Sequence, residues 1–571
     1  MQSEAKTHST SSMQACQNCK QEFVIEPDDF GFYEKIKVPV PTWCPKCRMI
    51  RRLNWQGYRI LYKRKCDFSG ETVFTTYHPD SPYKVYRQDI WWSDKWDPKS
   101  YGKDIDWKKP FLEQFKELML EVPHASLATA YSTMLRSDYC NAASACKDCY
   151  LCFRITGGED SAYLNTIVDG KMSFDCSFLN HSELCHGSTN INKCYQAFFS
   201  EDCTECHSVW FSRDLVGCSD CVGCINLRMK QYCIFNQQYS REEYQEKLKE
   251  FDFGTLENIK KFKMQAEESM KMAPRRQFHG VKNVNASGEY ISNSKNVHDS
   301  YLFTNGLDLR YCQFLKNGPA SSSYDWSFFG DNSELMYESC WCGLDSHNVK
   351  FGAWNYTNHD TEYCFGVHHS GNMFGCVNIP KGEYCILNKQ YTKEDYEKLI
   401  PKIKKHMTDV PYKDKLDRVY SYGEMLPAEL SPWYYNEATV FEWFPKIKEE
   451  VIASGLNWRD PDPREYVDAT IKVPGHIKDV KDDIINAVLK CVVCGKNYQI
   501  IKKELDFLKR MNFPIPEQCP LCRDRARIKS LNRMEIYMRT CAKCKKEIET
   551  SYAPERPEIV YCEGCYQQEV Y

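Results

Sequence analysis

Residues 176–203 read CSFLNHSELCHGSTNINKCYQAFFSEDC. Cys176, Cys185, Cys194 and Cys203 recur every nine residues, a period that an α-helix of 3.6 residues per turn does not bring to one face. The register extends outward. The cysteines at 140, 146, 149, 152, 176, 185, 194, 203, 206, 218, 221, 224 and 233 all leave remainder 2 on division by three. A β-solenoid keeps such a register, because each coil repeats a fixed number of residues and stacks like side chains in columns. Gly, Ser, Asn and Asp between the cysteines suit tight corners, and small Cys side chains suit a narrow, dry interior. The stretch 138–239 therefore predicts a Cys-rich β-solenoid-like unit, with coil length and handedness left open.

A second unit follows over 283–391. Gly223-Cys224-x-Asn226 and Tyr232-Cys233-Ile234-x-Asn236-x-Gln238-Tyr239 recur, 152 residues on, as Gly375-Cys376-x-Asn378 and Tyr384-Cys385-Ile386-x-Asn388-x-Gln390-Tyr391. Fewer cysteines and a broken register predict a less regular solenoid. Each copy runs into Ser240-x-Glu242-Glu243 or Thr392-x-Glu394-Asp395, a hydroxyl followed by acids, which marks a helix N-cap.

The ends of the chain repeat as well. Cys16-x-x-Cys19 with Cys44-Pro-x-Cys47-Arg48 matches Cys491-x-x-Cys494 with Cys519-Pro-x-Cys522-Arg523, at an offset of 475. Two CxxC knuckles supply the four thiolates of a closed structural zinc site. Cys541-x-x-Cys544 with Cys562-x-x-Cys565 forms a third set. About three structural zinc ions are expected.

Basic residues follow these knuckles: Arg48, Arg51, Arg52, Arg59, Lys63 and Arg64 in the first copy, and Arg523, Arg525, Arg527, Lys529 and Arg533 in the second. Aromatics interleave. Such a strip reads first as a solvated charged face. As a functional surface it suits phosphates and unpaired bases, so RNA or single-stranded DNA is the leading candidate partner and an acidic protein the next.

The triplets Cys146-x-x-Cys149-x-x-Cys152 and Cys218-x-x-Cys221-x-x-Cys224 resemble iron–sulfur runs, but neither has a fourth Cys followed by Pro. Core packing is the preferred reading, ahead of extra zinc or redox thiols, with iron–sulfur last. His181, His186, His207, His368 and His369 read as corner or surface residues. Glu201 with Asp202, or Asp325 with Asp331, could pair as glycosidase carboxylates. No nucleotide-loop, zincin or nucleophile-elbow motif occurs.

The chain has 571 residues, 32 cysteines, 14% aromatics and a net charge of −3. No apolar run is long enough for a membrane span. The segment 1–14 is polar and reads as a disordered tail without a signal-peptide core. Repeated CxxC pairs without a signal point to a reducing, cytoplasmic setting. The expected organisation is a zinc module with its basic strip at 14–66, an aromatic connector at 67–137 with a helix near Pro110–Val122, and the first solenoid at 138–239. A helical connector spans 240–282, the second solenoid 283–391, and a helix with an aromatic, Pro-rich segment 392–487. The second zinc module covers 488–540 and a short third ribbon 541–571. The aromatic stretch from Ser421 to Asp460 is read as packing on its own domain.

On these residues, Cys16 to Arg48 and Cys491 to Arg523 resemble the zinc-ribbon or treble-clef domain of many bacterial proteins, with Phe32-Tyr33 matching its Phe-Tyr pair and Phe507-Leu508 departing from it. The chain is similar to an uncharacterised bacterial family of cysteine-rich proteins built on such domains. The resemblance implies zinc and compact modules, and no reaction. The expected fold is mainly β with helical connectors: two β-solenoid-like units flanked by zinc-ribbon or treble-clef modules. The expected function is a zinc-stabilised, non-enzymatic binding or scaffold protein, with a solenoid-face carbohydrate-active enzyme or a metal–thiol redox protein as rivals.

Overall fold

A computed structural model describes residues 11–315, 318–461 and 463–571. The polar segment expected at 1–14 falls mostly outside them, and Ser12–Ala15 forms a strand paired with Glu22–Ile25. The fold is mainly β with helical connectors. The chain forms two compact units, each drawn from separate stretches of sequence. Unit 1 combines residues up to Leu127 with Phe278–Asp460 and Met534–Ile536, and holds the first knuckle module and the second solenoid. Unit 2 combines Ala128–Gln277, Pro461–Arg533 and Tyr537–Tyr571, and holds the first solenoid and the last two knuckle modules.

The first solenoid has a coil of 12 residues. Asn141 pairs with Phe153, Phe153 with Asn165, Asn165 with Ser177 and Ser177 with Thr189, all in parallel register. Every third residue has positive φ, as in Asp160, Tyr163, Thr166, Asp169, Met172 and Asp175. Each coil is thus four three-residue walls. Asp, Asn and Gly occupy many of these corners because they tolerate the left-handed region. Bulky corner residues also occur, and there the rings of successive coils stack, as Phe199 does on Phe211 at 4.9 Å.

The residue after each corner points inward, which places the cysteine register in the core with Ile155, Leu164, Ile167 and Leu179. A spacing of nine is one coil less one wall, so Cys176, Cys185, Cys194 and Cys203 step round the core coil by coil. Inward Ser and Cys also complete the backbone hydrogen bonding. Ser161 donates to the Glu159 carbonyl at 2.7 Å and accepts from the Ser173 N–H at 3.1 Å. Ser173 in turn accepts from the Cys185 N–H at 3.1 Å. Cys194 Sγ accepts from the Cys206 N–H at 3.4 Å. A buried N–H without such a partner would be costly.

In the second solenoid the step varies. It is 11 residues from Val284 to Lys295, 14 from Gly306 to Ala320, 13 from Ala320 to Ser333, and 12 from His347 through His359 and Gly371 to Glu383. Each solenoid ends in an antiparallel return, Cys233–Gln238 or Cys385–Gln390. Helices follow. Ser240 accepts from the Glu243 N–H and Glu243 from the Ser240 N–H, capping Arg241–Leu248. Thr392 caps Lys393–Asp409 by accepting from the Asp395 N–H, and its hydroxyl donates to the Asp395 carboxylate. The connector helix runs from Phe111 to Glu121. The aromatic stretch packs within unit 1: Trp433 Nε1 donates to Thr76, and Trp55 Nε1 to the Leu426 carbonyl at 3.2 Å. No helix among the described residues is long and apolar enough to cross a membrane.

Candidate metal centres and their docking arginines

Each knuckle set begins in a tight hairpin and, apart from its first pair, closes at a helix N-terminus. In the first, Lys20 turns the chain at φ 63° and Cys44 is the N-cap of Pro45–Leu53, with Pro at the first helical turn. In the second, Gly495 turns at φ 69° and Cys519 caps Pro520–Ser530. In the third, Lys545 turns at φ 65° and Cys562 caps Glu563–Val570. A helix N-terminus favours thiolates. In each set the four sulfurs lie within 4.8 Å of one another. Cys19–Cys44, Cys494–Cys519 and Cys544–Cys562 are 3.8, 3.8 and 3.7 Å apart. Tetrahedral zinc with bonds near 2.3 Å requires sulfurs about 3.8 Å apart, so the donor sets fit that ion. Backbone N–H groups add to the thiolate field: Cys44 N–H donates to Cys16 at 3.2 Å and Cys562 N–H to Cys541 at 3.3 Å. Burial opposes ionisation of Cys491 and Cys541, yet backbone donors bring both thiols down to about 6.

The expected basic strips are largely withdrawn into the protein. Arg48, Arg51 and Arg52 have side-chain exposures of 2, 1 and 0%, and Arg523 and Arg527 of 10% each. Both helices dock on a solenoid within their own unit in one pattern. The Arg after the last cysteine and the Arg one turn on share a solenoid aspartate. Arg48 Nη2 lies 2.8 Å and Arg52 Nη1 2.7 Å from Asp325. Arg523 pairs with Asp175, and Arg527 Nη1 lies 3.5 Å from it. Two residues on, Ser327 Oγ accepts from Arg52 Nε at 3.2 Å and Ser177 Oγ from Arg527 Nε at 3.1 Å. Tyr311 and Tyr163, one coil back, lie beneath Arg48 and Arg523 at 5.3 and 4.9 Å. The residue before each aspartate meets an aromatic of the module: Tyr324 stacks on Phe32 at 4.0 Å, and Phe174 meets Phe507 at 4.6 Å. Asp325 and Asp175 are both positive-φ corners, at 53° and 55°.

These arginines therefore belong to internal docking and not to an open strip. A desolvated guanidinium packed against buried carboxylates is out of reach of a phosphate. Arg59 pairs with Glu442 at 3.4 Å and Arg64 with Asp67 at 3.1 Å. Lys63, Arg525, Lys529 and Arg533 are exposed. Sequence reasoning named the arginines and missed their partners Asp325, Glu338, Glu424, Asp175 and Glu504.

The two cysteine triplets lie in the inward register. Cys146, Cys218, Cys221 and Cys224 each donate to the carbonyl two residues before, at 3.3 to 3.5 Å. The three four-cysteine sets are the metal-competent groups among the described residues. Burial pushes the thiols of Cys176, Cys312, Cys342 and Cys385 up to about 12. Cys149 and Cys224 differ: hydrogen bonds from Cys146 and Cys152 bring Cys149 down to about 4, and one from Cys221 lowers Cys224. His186 is buried against Phe513 at 5.3 Å, and burial lowers its imidazole to about 4. His181 is exposed beside Asp169 at 3.0 Å. Of the carboxylates considered for catalysis, Asp325 is consumed in docking, Glu201 pairs with Arg213, and Asp202 accepts from Asn190 at 2.7 Å.

No family model matches the chain, and no curated protein does. Among solved structures, one described as "putative acetyltransferase" from Desulfovibrio desulfuricans G20 aligns with 50% of this chain and 86% of its own, at 9% identity and a TM-score of 0.10. That likeness carries no argument about this chain. The cysteine sets support the modular part of the resemblance, while the family itself is not identified.

Proposed function

We propose that this protein is a non-enzymatic scaffold in which three zinc ions stiffen modules that clamp two β-solenoids. The observation that carries the reading is the repeated docking: in both units the helix leaving the last knuckle spends its arginines on a solenoid Asp and Ser. Four thiolates per site leave no open position for substrate, which favours structural over catalytic metal. The raised thiols of Cys176, Cys312, Cys342 and Cys385 weigh against redox work by those cysteines, and the ion pairs that Asp325 and Glu201 each make with arginines weigh against a carboxylate pair.

Metal analysis of the purified chain should give close to three zinc ions. Chelation should loosen the amide-exchange protection of both solenoids as the modules release. Retained protection after complete metal loss would defeat the clamp. A nucleic-acid role is a second reading, supported by the exposed Arg525, Lys529 and Arg533 near the second module. Anisotropy with single-stranded RNA and DNA at low salt tests it. Binding that falls when these three residues become Ala would support it, and no binding would remove it.

A further inference from the structure

We propose that residues 62–91 are a fourth ribbon of the same kind as 537–566, from which the metal site has been lost and in which an ion pair and an apolar plug now hold the fold. The offset of 475 that relates the two knuckle modules at the chain ends continues past them: Cys66 falls on Cys541, Tyr77 on Tyr552, and Val85-Tyr86 on Val560-Tyr561. The backbones agree in detail. Tyr62–Lys65 pairs with Thr72–Thr75 in the register that joins Tyr537–Thr540 to Glu547–Thr550. Gly70 and Lys545 turn at φ 70° and 65°. Cys66 N–H donates to the Glu71 carbonyl at 2.8 Å, and Cys541 N–H to the Lys546 carbonyl at 2.8 Å. Asp67 N–H reaches the Val85 carbonyl and Ala542 N–H the Val560 carbonyl, each at 2.9 Å. Even the contact to sulfur persists: Arg87 N–H donates to Cys66 Sγ at 3.3 Å, as Cys562 N–H does to Cys541 Sγ at 3.3 Å.

The ligands differ. Ser69, Arg87 and Ile90 stand where the third set has Cys544, Cys562 and Cys565. Ile90 packs with Cys66 and Val73 in a small apolar core. Arg87 pairs with Asp89 at 2.5 Å and with Glu71 across the hairpin. These contacts tie the second knuckle position to the first, which a bound ion does in the intact ribbon. This inference rests on the zinc reading of the other three sets.

The test is the metal content of the full chain. The wild-type count checks the three-zinc reading by itself. Ser69→Cys, Arg87→Cys and Ile90→Cys together should add one further equivalent, with one further set of thiolate–cobalt bands on cobalt substitution. Cys66→Ser in the wild type should leave the count unchanged, whereas Cys541→Ser should lower it by one. A folded triple variant with no added equivalent would overturn the inference, as would a loss of metal in Cys66→Ser. If the triple variant does not fold, Ser69→Cys with Ile90→Cys, retaining Arg87, offers three thiolates. Thiolate–cobalt charge-transfer intensity above that of the wild-type chain would support the inference, and no gain over wild type in folded protein would overturn it.

Discussion

The two docking interfaces follow one plan at different depths. In unit 1 three arginines meet Asp325, Glu338 and Glu424, and every one of these side chains is at most 4% exposed. Arg51, which bridges Glu338 and Glu424 at 2.9 Å each and lies 4.5 Å from the Trp43 ring, has no counterpart in unit 2, where Ala526 stands at the matching position. In unit 2 two arginines at 10% exposure meet Asp175, Glu504 and Asp524. A buried ion pair adds little net stability over a well-packed apolar one, but removing one partner strands a charge. The difference teaches that the same Cys-x-x-Cys-Arg-x-x-x-Arg helix is held with a steeper penalty for error in unit 1.

That contrast sets the order of expected effects. Arg52→Ala should cost about 3–5 kcal/mol, because the buried carboxylates Asp325, Glu338 and Glu424 are left with only Arg48 and Arg51 in a dry site; urea unfolding followed by a unit 1 probe reads it. Arg523→Ala should cost less, about 2–3 kcal/mol, because Arg527 stays beside Asp175 and the arginine side of this site is 10% exposed, so water can enter where Arg523 was. Equal losses at the two sites would break the comparison. Ser173→Ala in the first solenoid should cost about 1–2 kcal/mol, since the Cys185 N–H loses its acceptor, and local amide exchange at Cys185 should quicken.

The smallest effect is a pH dependence in the second solenoid. Burial, then the nearby Asp345, raises the Asp331 carboxyl to about 6. The native state therefore holds that proton more tightly than the unfolded chain, whose carboxyl titrates near 4. The contribution is complete below about pH 4 and is lost as pH rises through 6. Asp331→Asn should flatten the stability slope in that window, and an unchanged slope would assign it to another group.

Much of the fold was legible. The remainder-of-three cysteines give a solenoid because corner and inward positions alternate on a three-residue wall. The coil length was not legible, since a spacing of nine becomes 12 only when the number of walls is known. The metal-competent cysteine sets were legible because their thiols lie in short, repeated knuckles. The destination of the arginines was not: Arg48 and Asp325 are 277 positions apart, and a basic residue in sequence carries no mark of its partner. A signal did exist, in the shared i, i+4 spacing of Arg48 with Arg52 and of Arg523 with Arg527. The metal-free ribbon at 62–91 was hidden because a search keyed to cysteine pairs passes over a copy that keeps only Cys66.

The central claim is that the knuckle arginines serve internal docking. A double-mutant cycle of Arg48→Met and Asp325→Asn, read as unfolding free energy of the full chain with metal bound, tests it most directly. The account predicts a coupling on the order of 2 kcal/mol or more, as expected of partners in one buried network. Losses that add to within about 0.5 kcal/mol would contradict it and return Arg48 to the surface.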